Sequence, residues 1–303
     1  MRQRRTAKVT IDDLRVLMRR KVKLSPAWAD IPKLLQLSDR EDVALSELEP
    51  IIDRNPGLSA NVLRLANSAY MGAEQPIFSI PHAIAVLGLR SVRSIALSAL
   101  HHILSRQPKP AMGFDGRHFA KRSYALGIVC RKRCERLANI LLAESGYEAG
   151  LLQEIGYLVL LEECTESLTV LIGAARQMPK TDIVQIEKEV LGFTHAELGA
   201  ALAEEWAFPE HIVAAIRYHH EPLLAPAKFA PLVDRAHYAS WFCYQAGLPP
   251  FPQTGGHDLS DLVLSRIQQS VEAGVELSPP CPVETQEVLE VSSEAARQLD
   301  EPA

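Results

Sequence analysis

The chain has 303 residues, 47% of them hydrophobic and 23% charged, which is enough for about two domains or one long one. No apolar run is long enough to span a bilayer, no apolar core follows the basic N-terminus as a secretory signal requires, and five cysteines lack the spacing of a disulfide framework. A membrane-spanning protein, a disulfide scaffold, collagen and a wholly disordered chain are thereby excluded, and reduced thiols in a cytoplasmic protein are expected. The net charge of −5 hides a gradient: residues 1–23 carry nine Lys or Arg against Asp12 and Asp13 (+7), and residues 272–303 carry eight Asp or Glu against Arg297 (−7).

Apolar residues recur at helical spacing almost throughout, and no stretch alternates as a strand does, so the fold class is all-α. Residues 1–22 form a basic arm or helix in which Ile11, Leu14 and Leu17 share a face. Ser46 with Glu49 reads as a capping box. Asn55-Pro56 reads as an N-cap followed by a first-turn proline. Ser79-Ile80-Pro81 opens another helix, which Gly88 ends, and a long helix follows over 89–104. The Pro- and Gly-rich stretch 107–116 separates a 23–106 part from a 117–246 part. In the second part, helices are predicted over 117–142, 147–163, 181–190, 194–206, 209–220 and 228–246. Residues 247–277 make a C-terminal extension with a helix over 259–273, and 278–303 are predicted to be a disordered acidic tail.

The chemistry-bearing candidates are few. There is no Gly-rich phosphate loop, no nucleophile elbow and no C-x-x-C pair. Cys130 and Cys134 read as buried thiols on one helix face. His195, His219, His220 and Asp234 are the polar groups that could serve iron, manganese or zinc. Adjacent histidines on a helix point about 100° apart, so His219 and His220 could share an ion only from a helix end. Structural histidines bonding buried carbonyls are the default expectation. Arg131, Lys132, Arg133 and Arg136, with the N-terminal arm, could meet nucleic acid, but no aromatic interleaves them and the body of the chain is acidic, so nucleic acid is disfavoured.

Several motifs in order resemble one family. The run Asn61-Val62-Leu63-Arg64-Leu65-Ala66-Asn67-Ser68-Ala69-Tyr70 resembles the signature of the HDOD family of bacterial regulatory domains. So do Ser79-Ile80 with Ala83-Ile84 and Leu87-Gly88, Leu151-Leu152 with Ile155-Gly156, His195 to Gly199, and Trp206, Pro209 and Ile216 to Pro222. The resemblance covers roughly residues 23–245 and implies a multi-helix bundle like that of the HD and HD-GYP metal phosphohydrolases, preceded by an N-terminal helical subdomain. In those enzymes an early His, a His-Asp doublet and a late Asp hold a divalent ion that activates water. The resemblance places Arg122, Gln153-Glu154 and Asp234 at those positions, Tyr157 at the lysine that follows the doublet, and His195, His219 and His220 at the extra histidines of HD-GYP enzymes.

The departures imply a degenerate pocket. Gln153 is a poor ligand, and Arg122 puts a permanent cation where the ion would sit. The expectation is therefore no catalytic residue, no metal, no cofactor and no phosphohydrolase activity, with Arg122 paired to Glu154 or Asp234. Asn67, Ser68 and Gly88 are expected to be structural, the Asn67 amide bonding backbone that joins its helix to the next segment. The implied function is a cytoplasmic signalling module that contacts protein partners in a bacterial pathway, with a small nucleotide as a candidate pocket ligand and a homo-oligomer left open. A residual metal-dependent phosphohydrolase or nucleotide-binding enzyme is the first alternative, and a nucleic-acid-binding regulator the second.

Overall fold

A computed structural model describes residues 33, 45–53, 59, 60, 62–64, 67, 77–88, 91, 92, 94–98, 101, 111–135, 137–251, 260–269 and 282–300. The expected basic arm, the Asn55-Pro56 cap, Ser68 and Arg136 lie outside these residues. Every described element is helical, with no strand among the described residues. The N-terminal part contributes α1 (Leu45–Asp53) and α2 (Ile80–Leu87). The second part runs α3 (Gly116–Cys134), α4 (Ile140–Glu144), α5 (Gly146–Leu152), α6 (Ile155–Glu163), α7 (Thr165–Gln177), α8 (Ile183–Val190), α9 (His195–Glu205), α10 (Glu210–Tyr218) and α11 (Ala230–Gln245). Two further helices, α12 (Asp261–Gln269) and α13 (Pro282–Asp300), close the described chain.

Local chemistry sets these boundaries. Ser79 caps α2 by accepting from the His82 amide, and Gly88 ends it at φ +82°, a conformation glycine adopts at little cost. Asp115 starts α3 by accepting from the amides of Arg117 and His118. Thr194 and Glu197 form a reciprocal capping box at the start of α9.

Four expectations need correction. Ser46 lies inside α1, which already includes Leu45, so it is not an N-cap. The helix predicted over 117–142 stops at Cys134, because Asn139 caps the separate α4 by accepting from the Leu142 amide. The helix predicted over 147–163 breaks at Gln153-Glu154 into α5 and α6. The acidic tail forms α13 rather than remaining disordered: Val288 and Ser292, four residues apart, are buried on a face packed against α3, and Glu287 pairs with Lys132 at 3.0 Å. One helix is unforeseen. In α7 the buried stripe Leu168, Leu171, Ile172 and Ala175 is accompanied by Thr165 and Thr169, whose hydroxyls bond carbonyls four residues back and which are weak helix formers.

Helix α3 is the central member, packed against α5, α11 and α13. Small residues allow two close crossings. A Cβ on Gly150 of α5 would lie 2.4 Å from the Leu126 carbonyl oxygen of α3. One on Gly156 of α6 would lie 2.1 Å from the His195 carbonyl oxygen of α9. The N-terminal part docks on this body through polar bonds: Ser94 donates to Glu148 (3.0 Å), the hydroxyls of Ser98 and Tyr147 bond at 2.6 Å, and Tyr124 donates to the Ser98 carbonyl (3.2 Å).

Candidate functional site

Helix α3 buries Arg122, and the α5–α6 break brings Glu154 to meet it; each is 1% exposed. The Arg122 Nε donates to both Glu154 oxygens at 3.0 Å, and Nη2 donates to Oε1 at 2.7 Å. Nη2 also donates to the Ser240 hydroxyl (3.2 Å) and Nη1 to the Leu248 carbonyl. Burial works against a charged guanidinium, but the Glu154 carboxylate outweighs it and holds the Arg122 pKa above its ordinary value. The pair is thus a saturated internal salt of the kind a buried charge requires.

A second cluster lies where α8, α9 and α10 end or begin. Glu187 of α8 accepts from the His195 backbone amide (3.0 Å), and its oxygens lie 2.8 and 2.9 Å from His195 Nδ1. Helix α10 stops at Tyr218, so His219 and His220 leave from a helix end. Their rings sit 4.2 Å apart, and each is within 5.2 Å of the His195 ring. His219 Nδ1 lies 2.8 Å from the Ile216 carbonyl oxygen, and its Nε2 faces His195 Nε2 at 3.1 Å. One ligand atom from each histidine falls within 4.8 Å of the others. His195 and His219 are fully buried and His220 is half-buried.

Tyr157 joins the two clusters. Its ring stacks on His195 at 4.2 Å, and burial, with Glu187 and Glu154 close by, pushes its hydroxyl pKa well up. Asp234 does not pair with Arg122. It accepts from Nε of Arg266 on α12 at 2.9 Å and from its Nη2, which also donates to the Pro222 carbonyl (3.2 Å). Burial raises the Asp234 pKa although Arg266 opposes the rise. Gln153 is fully buried, and neither amide heavy atom meets a hydrogen-bond partner among the described residues.

Of the expected pocket residues, Arg122 meets Glu154, the three histidines meet one another, and Asp234 is drawn to the C-terminal extension. Glu187, Arg266, Ser240 and the Leu248 carbonyl were not foreseen. Glu187 sits in an ordinary-looking Glu-Lys-Glu helical stretch, and Arg266 in an extension with no motif, so the sequence carries no signal for either. Asn67 behaves as expected: its Nδ2 donates to Leu63 (2.8 Å) and Ile77 (2.9 Å) carbonyls, and its Oδ1 accepts from the Ile77 amide (2.7 Å). The basic stripe is partly spent on internal contacts, with Lys132 on Glu287 and Arg133 over the Tyr238 ring.

Whether this set fits a metal divides along the same line. The Arg122 guanidinium supplies the positive charge at the first position and consumes the Glu154 carboxylate, so a cation does not fit there. The three imidazoles, with Glu187 behind His195 and the Ile216 carbonyl beside His219, are a donor set that fits a transition-metal ion.

Comparisons with known proteins agree with this architecture. The chain is 28% identical over 220 residues to an uncharacterized protein of Treponema pallidum (strain Nichols); the match covers 70% of this chain and 42% of that relative, so the chain spans less than half of its length. A solved HDOD domain protein of Geobacter sulfurreducens superposes with a TM-score of 0.69 at 23% identity, covering 96% of this chain and 99% of that one. A Shewanella amazonensis structure whose name proposes a phosphohydrolase gives a TM-score of 0.64 at 24% identity, covering 94% and 97%. No described helix is long and apolar enough to cross a membrane. The HDOD domain model matches residues 28–222, through the helices that carry Arg122, Glu154 and the histidines, and the chain belongs to the HDOD family.

Proposed function

We propose that this HDOD protein is a non-catalytic regulatory module that acts in the bacterial cytoplasm through contacts with protein partners. One observation carries the reading: the buried Arg122–Glu154 ion pair stands where the resemblance to HD hydrolases puts the catalytic metal. A metal-activated hydroxide needs an ion with carboxylate and imidazole ligands at that point. Here the carboxylate is consumed by a guanidinium that does not deprotonate, and Asp234 is engaged by Arg266. A small nucleotide remains a candidate ligand for the pocket, in which the Gln153 amide has hydrogen-bonding capacity to spare.

The phosphohydrolase reading has one observation in its favour, the convergent histidines. The two readings part in an assay of the purified chain on a chromogenic phosphodiester with added manganese, iron or zinc. The non-catalytic reading expects no turnover above that of the free metals. Turnover that disappears in an Asp234→Ala variant would instead establish the hydrolase.

A further inference from the structure

Helix α11 ends at Gln245, and the chain beyond it turns back onto α3. Gly247 adopts φ +78°; its amide donates to the Tyr244 carbonyl (3.0 Å), and the Leu248 amide donates to the Cys243 carbonyl (2.8 Å). This paired helix ending reverses the chain at the glycine. The strap Gly247–Phe251 lies beyond residue 222, where the family match ends. The Glu154 carboxylate occupies Nε and Nη2 of Arg122, and the remaining Nη1 donates to the Leu248 carbonyl. One turn earlier on the same face of α3, His118 Nε2 lies 2.8 Å from the Pro249 carbonyl oxygen. A carbonyl only accepts, so this nitrogen carries the proton. The buried Phe251 ring stands edge-on to Tyr157 (centroids 4.8 Å apart) and to Phe114 (6.5 Å), and Phe119 touches both of those rings.

These contacts read as an imprint. Two donors on α3, one of them a guanidinium, face two neutral carbonyls, although an oxyanion would bind the same donors more strongly. Beside them, Phe114, Phe119 and Tyr157 form an aromatic slot that now holds a phenyl ring and suits any flat ring. Leu248 and Phe251 are three residues apart, so at most about 10–11 Å of chain links the two features, short enough for one small molecule to reach both. Gln153, four residues before Tyr157, is fully buried with neither amide heavy atom bonded. A closure that served stability alone would not leave that donor and acceptor bare. A side-chain amide of this kind pairs with the edge of adenine.

We infer that Gly247–Phe251 is a built-in plug displaced by a nucleoside monophosphate. Phosphate oxygens replace the Leu248 and Pro249 carbonyls at Arg122 and His118, and the base replaces the Phe251 ring in the aromatic slot. The inference rests on the reading of the pocket as a site for a small nucleotide, and adds that ligand and strap exclude each other. Binding therefore frees the chain that leads from α11 into the C-terminal extension. Removing strap contacts tightens binding, because the competent fraction rises.

The test uses the full chain with 5′-AMP as the probe, and adenosine and inorganic phosphate as its two halves. Affinity is read by calorimetry, and hydrogen exchange is followed at the Leu248 amide. Phe251→Ala should bind AMP about 10-fold or more tightly than the parent. Each half should bind more weakly than AMP. Saturating AMP should speed exchange at Leu248, where a ligand lying over a fixed strap would slow it. Should Phe251→Ala fail to fold by circular dichroism, Pro249→Gly decides: it keeps the ring, loosens the backbone and should shift affinity in the same direction. AMP binding that is unchanged or weakened in these variants, with slowed exchange, would overturn the plug and leave the nucleotide reading standing. No AMP binding by the parent or by either variant would overturn both. Phosphate binding as tightly as AMP would deny the ring its part and overturn the inference.

Discussion

Asp234 on α11 is clasped by Arg266 on α12, whose Nε and Nη2 both donate to its carboxylate while Nη2 also reaches the Pro222 carbonyl. The C-terminal extension therefore withholds the late Asp from the pocket, which bears on any attempt to rebuild a hydrolase site. The combination Arg122→His, Gln153→His and Glu154→Asp restores the expected ligands but leaves Asp234 engaged. Manganese affinity by calorimetry should rise only modestly in that triple variant and rise again when Arg266→Ala is added. No gain in either variant would show that these positions do not converge as metal ligands.

The Arg122–Glu154 pair predicts a marked asymmetry between single and paired changes. Arg122→Ala or Glu154→Ala leaves one buried charge uncompensated and should cost about 3–5 kcal/mol in urea unfolding. Arg122→Met with Glu154→Leu removes both charges at similar volume and should cost far less than the sum of the singles. An additive double variant would mean that the pair is not coupled.

Asn67 ties its helix to the segment around Ile77 with three hydrogen bonds. Asn67→Ala should cost about 1–3 kcal/mol, since the Ile77 carbonyl and amide both lose their partner. Amide exchange should accelerate at Ile77 ahead of α3. Unchanged exchange there would separate Asn67 from this linking role.

Cys243 is fully buried on α11, and burial pushes its thiol up to about 12. Thiolate is the reactive form. At pH 8 the native protein should leave Cys243 unmodified by iodoacetamide while the partly exposed Cys164 reacts. A folded pKa raised above the ordinary 9.0 favours the folded state below that pH. That contribution is lost as pH climbs from about 9 towards 12, and Cys243→Ala should flatten this part of the stability profile.

Gly156 carries no side chain because the His195 carbonyl occupies that space. Gly156→Ala should force α6 and α9 apart and cost about 3 kcal/mol or more, at the upper end for overpacking. A variant as stable as the parent would require that α9 relaxes freely.

What the sequence discloses of this fold is what periodicity and capping encode: α2 with its Ser79 and Gly88 ends, a helix beginning at Thr194, and the absence of sheet among the described residues. The tail helix α13 was hidden because its composition is acidic and Pro-flanked, and its burial depends on the surface of α3, far away in sequence. The resemblance placed Arg122 and Glu154 correctly as candidate partners, since a buried guanidinium has few possible neighbours. It could not place Asp234, whose partner comes from the extension, or Glu187, whose role depends on α8 and α9 meeting end to start. The convergence of His219 with His220 turned on a helix stopping at Tyr218, two residues short of the predicted His220 end.

The contact between Gly156 and His195 has a mechanical meaning. Backbone rests on backbone there, with no side chain between to bend and absorb a push. Glu154 lies two residues before Gly156 at the head of the same helix, and His195 is the first residue of the other. A load that tilts α9 is therefore handed rigidly to the ion pair as well as to the imidazoles. The module has the makings of a stiff lever whose fulcrum is a single hydrogen atom on a glycine.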